Sequence, residues 1–158
     1  MTYIKNKTIQ NYVHNVDTSF TKEAISTSIE YYPGTEVTYT PVTGSSSVIY
    51  ECNLQISWDP DGMKSYICSR LQYSDDNGSS WNTYNATKMF EGASGSVTDY
   101  DWFNFNWIFL IPAWSGERKL RVAGRAYNSS SEYTIGKALS ASGSEGVSCP
   151  HVSVYSIM

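Results

Sequence analysis

Charge is the first thing this chain lacks. Only 16% of its 158 residues are Asp, Glu, Lys or Arg, against roughly 25% in an ordinary soluble domain. The balance is acidic, at −4, so no broad basic field exists to draw in nucleic acid. Cysteine is scarce and odd in number, with Cys52, Cys68 and Cys149 and no Cys-x-x-Cys pair. The expectation is three reduced thiols made in a cytosol rather than a disulfide framework. Of the two histidines, His14 and His151, neither stands at a metal-ligand spacing. Long apolar runs are missing too. The stretch WFNFNWIFLIPAW (102–114) is too short to span a bilayer and carries Asn104 and Asn106. The opening MTYIKNKTIQNYVHN has no apolar core of a secretory signal. Neither a membrane nor nucleic acid is an expected partner. A Gly-rich phosphate loop, a GxSxG elbow and HExxH are all absent, so no enzyme, cofactor or metal centre is expected.

Aromatics are what it has. Tyr (13), Trp (5) and Phe (5) make up 15% of the chain, and Ser, Thr, Asn and Gly must supply the polar surface. That composition suits strands and turns. A surface so poor in charge also suggests that another chain or a ligand covers part of it. The length fits one domain with a real core.

From Ile29 onward the apolar period is two. A YPG turn (32–34) precedes Val37, Tyr39 and Pro41. In VIYECNLQISWD, Tyr50, Cys52, Leu54, Ile56 and Trp58 share one face, while Ile49, Glu51, Asn53, Gln55 and Ser57 share the other. SYICSRLQYS (65–74) and WNTYNATKMF (81–90) follow. WFNFNWIFLI (102–111) carries large residues on both faces, so it is expected to be buried twice, by its own core and by a partner, with Pro112 ending it. KLRVAGRAYN (119–128) and SEYTIGKALS (131–140) are expected to pair around NSSS, and VSVYSIM (152–158) is the last strand. The expected fold is all-β, an antiparallel sandwich of the jelly-roll type with about eight strands over residues 28–158. Residues 1–27 read as an extended N-terminal arm with a short helix near TKEA (21–24). Such an arm either lies across neighbouring subunits or packs on its own core.

The stretch SDDNGSSW (74–81) resembles the Asp-box of sialidase-type β-propellers. A propeller needs several blades, and the chain has one box and no repeat. An EF-hand loop fails on spacing, because setting Gly78 sixth puts tyrosines first and twelfth. The box therefore reads as a hairpin device. Asp76 is expected to accept backbone N–H bonds, Gly78 to supply positive φ, and Trp81 to pack over the turn.

Two acidic clusters remain, Asp59 with Asp61 and Asp99 with Asp101. Brought together they would hold calcium or supply paired carboxylates; apart they are turn punctuation. In ERKLRVAGRAY, Lys119, Arg121 and Arg125 share one strand face, with Leu120, Val122 and Gly124 on the other. That row is either a solvated sheet face or a pairing site for acids of a neighbouring subunit, such as Asp99, Asp101 or Glu117. Exposed Tyr and Trp would alternatively stack on sugars.

The segments PGTEVTYTPVTGSSSVIYE (33–51), AWSGERKLRVAGRAYNSSSEYTIGKA (113–138) and PHVSVYSIM (150–158) resemble small structural proteins of tailed bacteriophages of marine and cyanobacterial hosts. Those proteins often carry a trimeric jelly roll similar to the tumour-necrosis-factor and complement globular-head domains. The resemblance implies a virion protein made in the host cytoplasm, without catalytic residues or an obligatory cofactor. A capsid decoration (cement) role is expected, with a homotrimer attached to the major capsid protein or another virion protein. The alternative is a short fibre or tail-tip adhesin, or a carbohydrate-binding module, contacting host glycans. Trp102, Phe103, Phe105, Trp107, Phe109, Arg121, Arg125 and Tyr155 are the expected subunit-interface residues. Tyr3, Ile4, Ile9, Tyr12, Val13 and Phe20 in the arm are the expected capsid contacts.

Overall fold

A computed structural model describes residues 9–19, 21, 23–59, 66–91, 101–126, 132–139 and 145–158. They form two antiparallel sheets packed against each other, a β-sandwich. The long strand β5 (Ser47–Asp59) organises the larger sheet. Strand β8 (Asp101–Pro112) pairs with it along one side, from Ser47↔Pro112 to Trp58↔Asp101. On its other side β13 (His151–Ile157) covers the first half and β10 (Glu132–Ile135) the second. Outside these lie β1 (Ile9–Val16) on β13 and β2 (Glu23–Ile25) on β10. Among the described residues β8 has no hydrogen-bonded strand beyond β5, so it is a sheet edge.

In the smaller sheet β9 (Arg118–Ala126) is central. It lies between β6 (Tyr66–Ser74) and two short strands, β3 (Glu30–Tyr31) and β4 (Val37–Tyr39), and β7 (Asn82–Glu91) continues past β6. A two-stranded ribbon, β11 (Lys137–Leu139) with β12 (Glu145–Val147), forms a separate small sheet next to β5, where the Gly136 N–H donates to the Gln55 carbonyl at 2.7 Å.

Period-two alternation decides which side chains meet. On β5, Tyr50, Cys52, Leu54 and Ile56 are buried, and on β9 so are Leu120, Val122 and Ala126. Both assignments agree with the sequence pattern. Tyrosine hydroxyls stitch the layers, as buried polar groups must be paired. Tyr39 on β4 meets Ser156 Oγ on β13 at 2.7 Å, and Tyr50 on β5 donates to the Thr35 carbonyl. Tyr32 meets Ser69 Oγ at 2.9 Å. Its hydroxyl also fills the space above Gly124, where a Cβ would collide with it and with the Cys68 carbonyl.

Two expectations are corrected. Strands β9 and β10 do not pair around NSSS, because they belong to opposite sheets. Their apolar sets both point to the core, and a core between layers accommodates a crossover as readily as a hairpin. The helix near TKEA is absent: Glu23–Ile25 is strand β2, its Ile25 buried and its backbone bonded to β10. Ladder bonds and burial override a weak local helix preference there. Within the segment read as an arm, Ile9–Val16 forms strand β1 and pairs with β13 of the same chain, the second of the two courses expected for it. Tyr3, Ile4, Phe20, Asp61 and Asp99 lie outside the described residues.

Candidate functional site

The two outer faces of the sandwich differ in chemistry. On β8 the odd positions face the core. Trp107 is 7% and Phe109 2% exposed, and Phe103 and Phe105 pack half-buried against the same cluster. These four expected interface residues are therefore sheltered largely by their own chain. The side chain of Trp102 lies outside the described set. The even positions face outward, and there Asn104 and Asn106 give way to Ile108 (47% exposed) and Leu110 (64%).

Cross-strand register carries that apolar end inward. Leu110 stands opposite Ile49, and Ile49 opposite Tyr155. Tyr155 then stacks on Tyr12, ring centroids 6.0 Å apart. Paired positions sit about 5 Å apart, so Leu110, Ile49, Tyr155 and Tyr12 form one apolar stripe over four strands. Ile9, opposite Ile157, extends it at the β1 end and is 59% exposed, as is Tyr12. Val13 instead packs on the core.

A bulge in β1 aims Tyr12 at this stripe. The register slips between Gln10 and Val13, and Asn11 takes φ 52, a left-handed conformation that Asn tolerates. Its side chain donates to the Thr40 carbonyl at 2.8 Å, which pins the bulge to the loop after β4. Tyr12 and His14 both reach Ser153 Oγ, at 2.9 and 3.0 Å. Burial raises the Tyr155 pKa, helped by Glu51 and Tyr12, so its hydroxyl stays neutral in ordinary buffers. Beyond the stripe the face turns to carboxamides. Asn53, Gln55, Asn104 and Asn106 line an open pocket of about 290 Å³ with His151 and Cys149. The β1–β13 pairing also brings His14 within 5.7 Å of His151, ring to ring. Sequence spacing gave no hint of that.

The outer face of the smaller sheet is cationic. Lys119, Arg121 and Arg125 project from β9, and Arg70 on β6 stands opposite Ala123 between them. The expected shared face is present. One cation of the row meets an acid of its own chain, Lys119 pairing with Glu36 at 3.1 Å. Arg118, at the sandwich end, pairs with Asp75 and donates to Tyr84 Oη at 3.1 Å.

The SDDNGSSW hairpin borders this face and behaves as its residue types require. Asp76 accepts from the Ser80 backbone N–H at 2.9 Å and from the Ser74 and Ser80 hydroxyls. Those bonds hold its pKa down at about 2. Ser74 Oγ takes the Gly78 N–H at 2.8 Å, and Asn77 and Gly78 both have positive φ. The Trp81 indole donates to the Gly78 carbonyl at 3.1 Å. Folded back in this way, Trp81 places its ring against Arg121, 3.6 Å from guanidinium carbon to ring centroid. Tyr31 flanks the same guanidinium at 5.1 Å, and Gln72 Oε1 accepts its Nε–H at 3.0 Å. Burial lowers the Arg121 pKa, with Glu36 and Tyr31 acting against the shift, and an arginine so placed remains charged.

Sequence reasoning missed Ile108, Leu110 and Ile49 on one face, and Trp81, Tyr31 and Gln72 as the setting of Arg121 on the other. Among the described residues no group of three or more His, Cys, Asp or Glu comes together to hold a metal. The three cysteines are free thiols, and burial drives the Cys52 pKa upward. No helix of the described residues is long and apolar enough to cross a membrane. No protein-family model matches the chain, and no curated protein matches it either.

Proposed function

We propose that the chain is a non-enzymatic virion structural protein, a capsid decoration protein that works as a homotrimer. The apolar stripe Leu110–Ile49–Tyr155–Tyr12, with Ile108 and Ile9 beside it, carries the reading. Side chains of this size contribute about 1.5–3 kcal/mol each when fully buried, and on a single copy they face water. A second copy of the chain is the occupant, because closed cyclic assembly covers the same face on every protomer. The number three follows from the phage-protein resemblance, not from the stripe.

Strand order supports the finer fold. Eight strands, β1, β4, β5, β6, β7, β8, β9 and β13, numbered one to eight in chain order, give 1-8-3-6 in one sheet and 2-7-4-5 in the other. Two interlocked Greek keys of this kind make a jelly roll. The β2–β10 pair and β3 extend it.

The test is a double variant, Ile108→Asp with Leu110→Asp, followed by sedimentation velocity and circular dichroism. Both side chains are exposed, so the strand signal is expected to persist while the oligomer falls to a 17.7 kDa monomer. An oligomer of unchanged size rejects the stripe as its interface. Decoration itself is tested by incubating the wild-type protein with empty heads of its parent virus. Co-sedimentation at a fixed ratio per head is expected, and heads that stay bare contradict that role.

A further inference from the structure

The assembly reading leaves the Arg121 cluster without a use, and its geometry is specific. An arginine on a sheet face ordinarily sweeps through many rotamers. Here the guanidinium lies against the Trp81 ring, with Tyr31 near it, and is held by Gln72, which occupies only Nε. The terminal nitrogens have no hydrogen-bond partner among the described residues, so a planar fork is presented ready-made. A fork of that shape matches carboxylate oxygens two at a time, and fixing it in advance reduces what binding must spend on ordering.

Its neighbours extend the pattern. Arg70 is a diagonal neighbour of both Arg121 and Arg125, at about 7–8 Å in such a register. Neither Arg70 nor Arg125 has an acidic partner among the described residues, whereas Lys119 is already neutralised by Glu36. Three guanidinium groups without a salt bridge among the described residues thus run obliquely over the sheet. Beside them Tyr31 keeps 47% of its surface exposed, and Thr38 and Thr83 are exposed hydroxyl bearers on β4 and β7. A flat surface with an aromatic ring, hydroxyls and spaced cations suits a chain of sugar rings that bears carboxylates at intervals. An acidic peptide fits less well. These arginines stand on β6 and β9, both paired on each side, and offer no free backbone edge for strand addition. Nucleic acid fits less well too, since a protein of net charge −4 repels a dense polyphosphate.

We propose that the outer face of the smaller sheet binds carboxylated polysaccharide, with the Arg121 fork taking a uronate carboxylate and Tyr31 the face of the adjoining ring. This face lies on the opposite side of the sandwich from the stripe, so an assembled particle would leave it turned outward. The two readings fail separately.

Isothermal titration with a galacturonate oligosaccharide tests the proposal, a short probe being chosen so that multivalency does not hide the intrinsic affinity. Binding is expected for the wild type and for the Ile108→Asp, Leu110→Asp monomer alike. Arg121→Ala is expected to weaken it by roughly tenfold or more, as loss of a charged hydrogen-bond pair implies. Arg121→Lys keeps the charge without the fork and is expected to fall nearly as far. Tyr31→Ala, at an exposed site, is expected to weaken binding by a smaller factor. It reads the same face if an Arg121 variant fails to fold. No binding by the wild type, equal binding of a neutral glucan oligosaccharide, tighter binding of duplex DNA, or folded Arg121 and Tyr31 variants with unchanged affinity each overturns it.

Discussion

The outer face of the larger sheet and the outer face of the smaller sheet share one backbone plan and carry opposite chemistry. Both arise from the same alternation, with every second residue sent to a common core. On the larger sheet the solvent side of β8 and β5 ends in Ile108, Leu110 and Ile49, and a bulge in β1 swings Tyr12 over to join them. On the smaller sheet the solvent side of β9 is basic, and a tight hairpin folds Trp81 down against one arginine. In each case an irregular element beside the sheet finishes the face. Alternation alone yields two faces; the bulge and the hairpin give each its character.

The comparison can be broken most severely at Gly124, where the smaller sheet has no room to spare. A methyl group there meets the Tyr32 hydroxyl and the Cys68 carbonyl. Gly124→Ala is expected to destabilise the fold by about 1–3 kcal/mol, as overpacking does, read from a denaturant midpoint. It acts through the core, so association of surviving folded protein through the other face is expected to continue. An unchanged midpoint would mean that Tyr32 yields freely and that the smaller sheet is not tight there.

Thiol labelling sharpens the contrast next. Cys68 is partly exposed on β6 of the smaller sheet, Cys149 lines the pocket of the larger sheet, and Cys52 is buried. In the assembled protein alkylation is expected to be fastest at Cys68 and slower at Cys149, with Cys52 inert until unfolding. Equal rates at Cys149 in oligomer and monomer would mean that the interface stops short of this pocket.

The smallest effect is a pH dependence confined to the hairpin. Asp76 binds its proton at about 2 when folded, against 3.8 when free. Between those values the unfolded chain holds more protons than the folded one, so the contribution is complete above about pH 4 and is lost as pH falls toward 2. Trp81 fluorescence is expected to report that loss, and Asp76→Asn is expected to remove the transition.

Much of the fold was legible. Period alone grouped Tyr50, Cys52, Leu54 and Ile56 on one face of β5, and Leu120 and Val122 on one face of β9, and those faces are buried in the core. The SDDNGSSW turn was also legible, because Asp, Gly and Trp at those offsets admit few conformations. The pairing of β9 with β6 was not, since sequence neighbours give no information about which layer a strand joins. On β8 the odd positions from Phe103 to Ile111 are wholly apolar, while the even set contains two asparagines. That asymmetry marks the core face, but the number of rings drew the expected interface onto it. The stacking of Trp81 on Arg121 lies beyond any local pattern, because it joins residues forty apart in the chain through a folded-back turn. The proximity of Tyr12 to Tyr155 likewise depends on β1 reaching β13.

The central claim is that the outer face of the larger sheet is covered by further copies of the chain. Light scattering of the purified wild-type protein at micromolar concentration measures this directly. The account predicts a single species with three times the 17.7 kDa mass of the chain. A monodisperse monomer would contradict it.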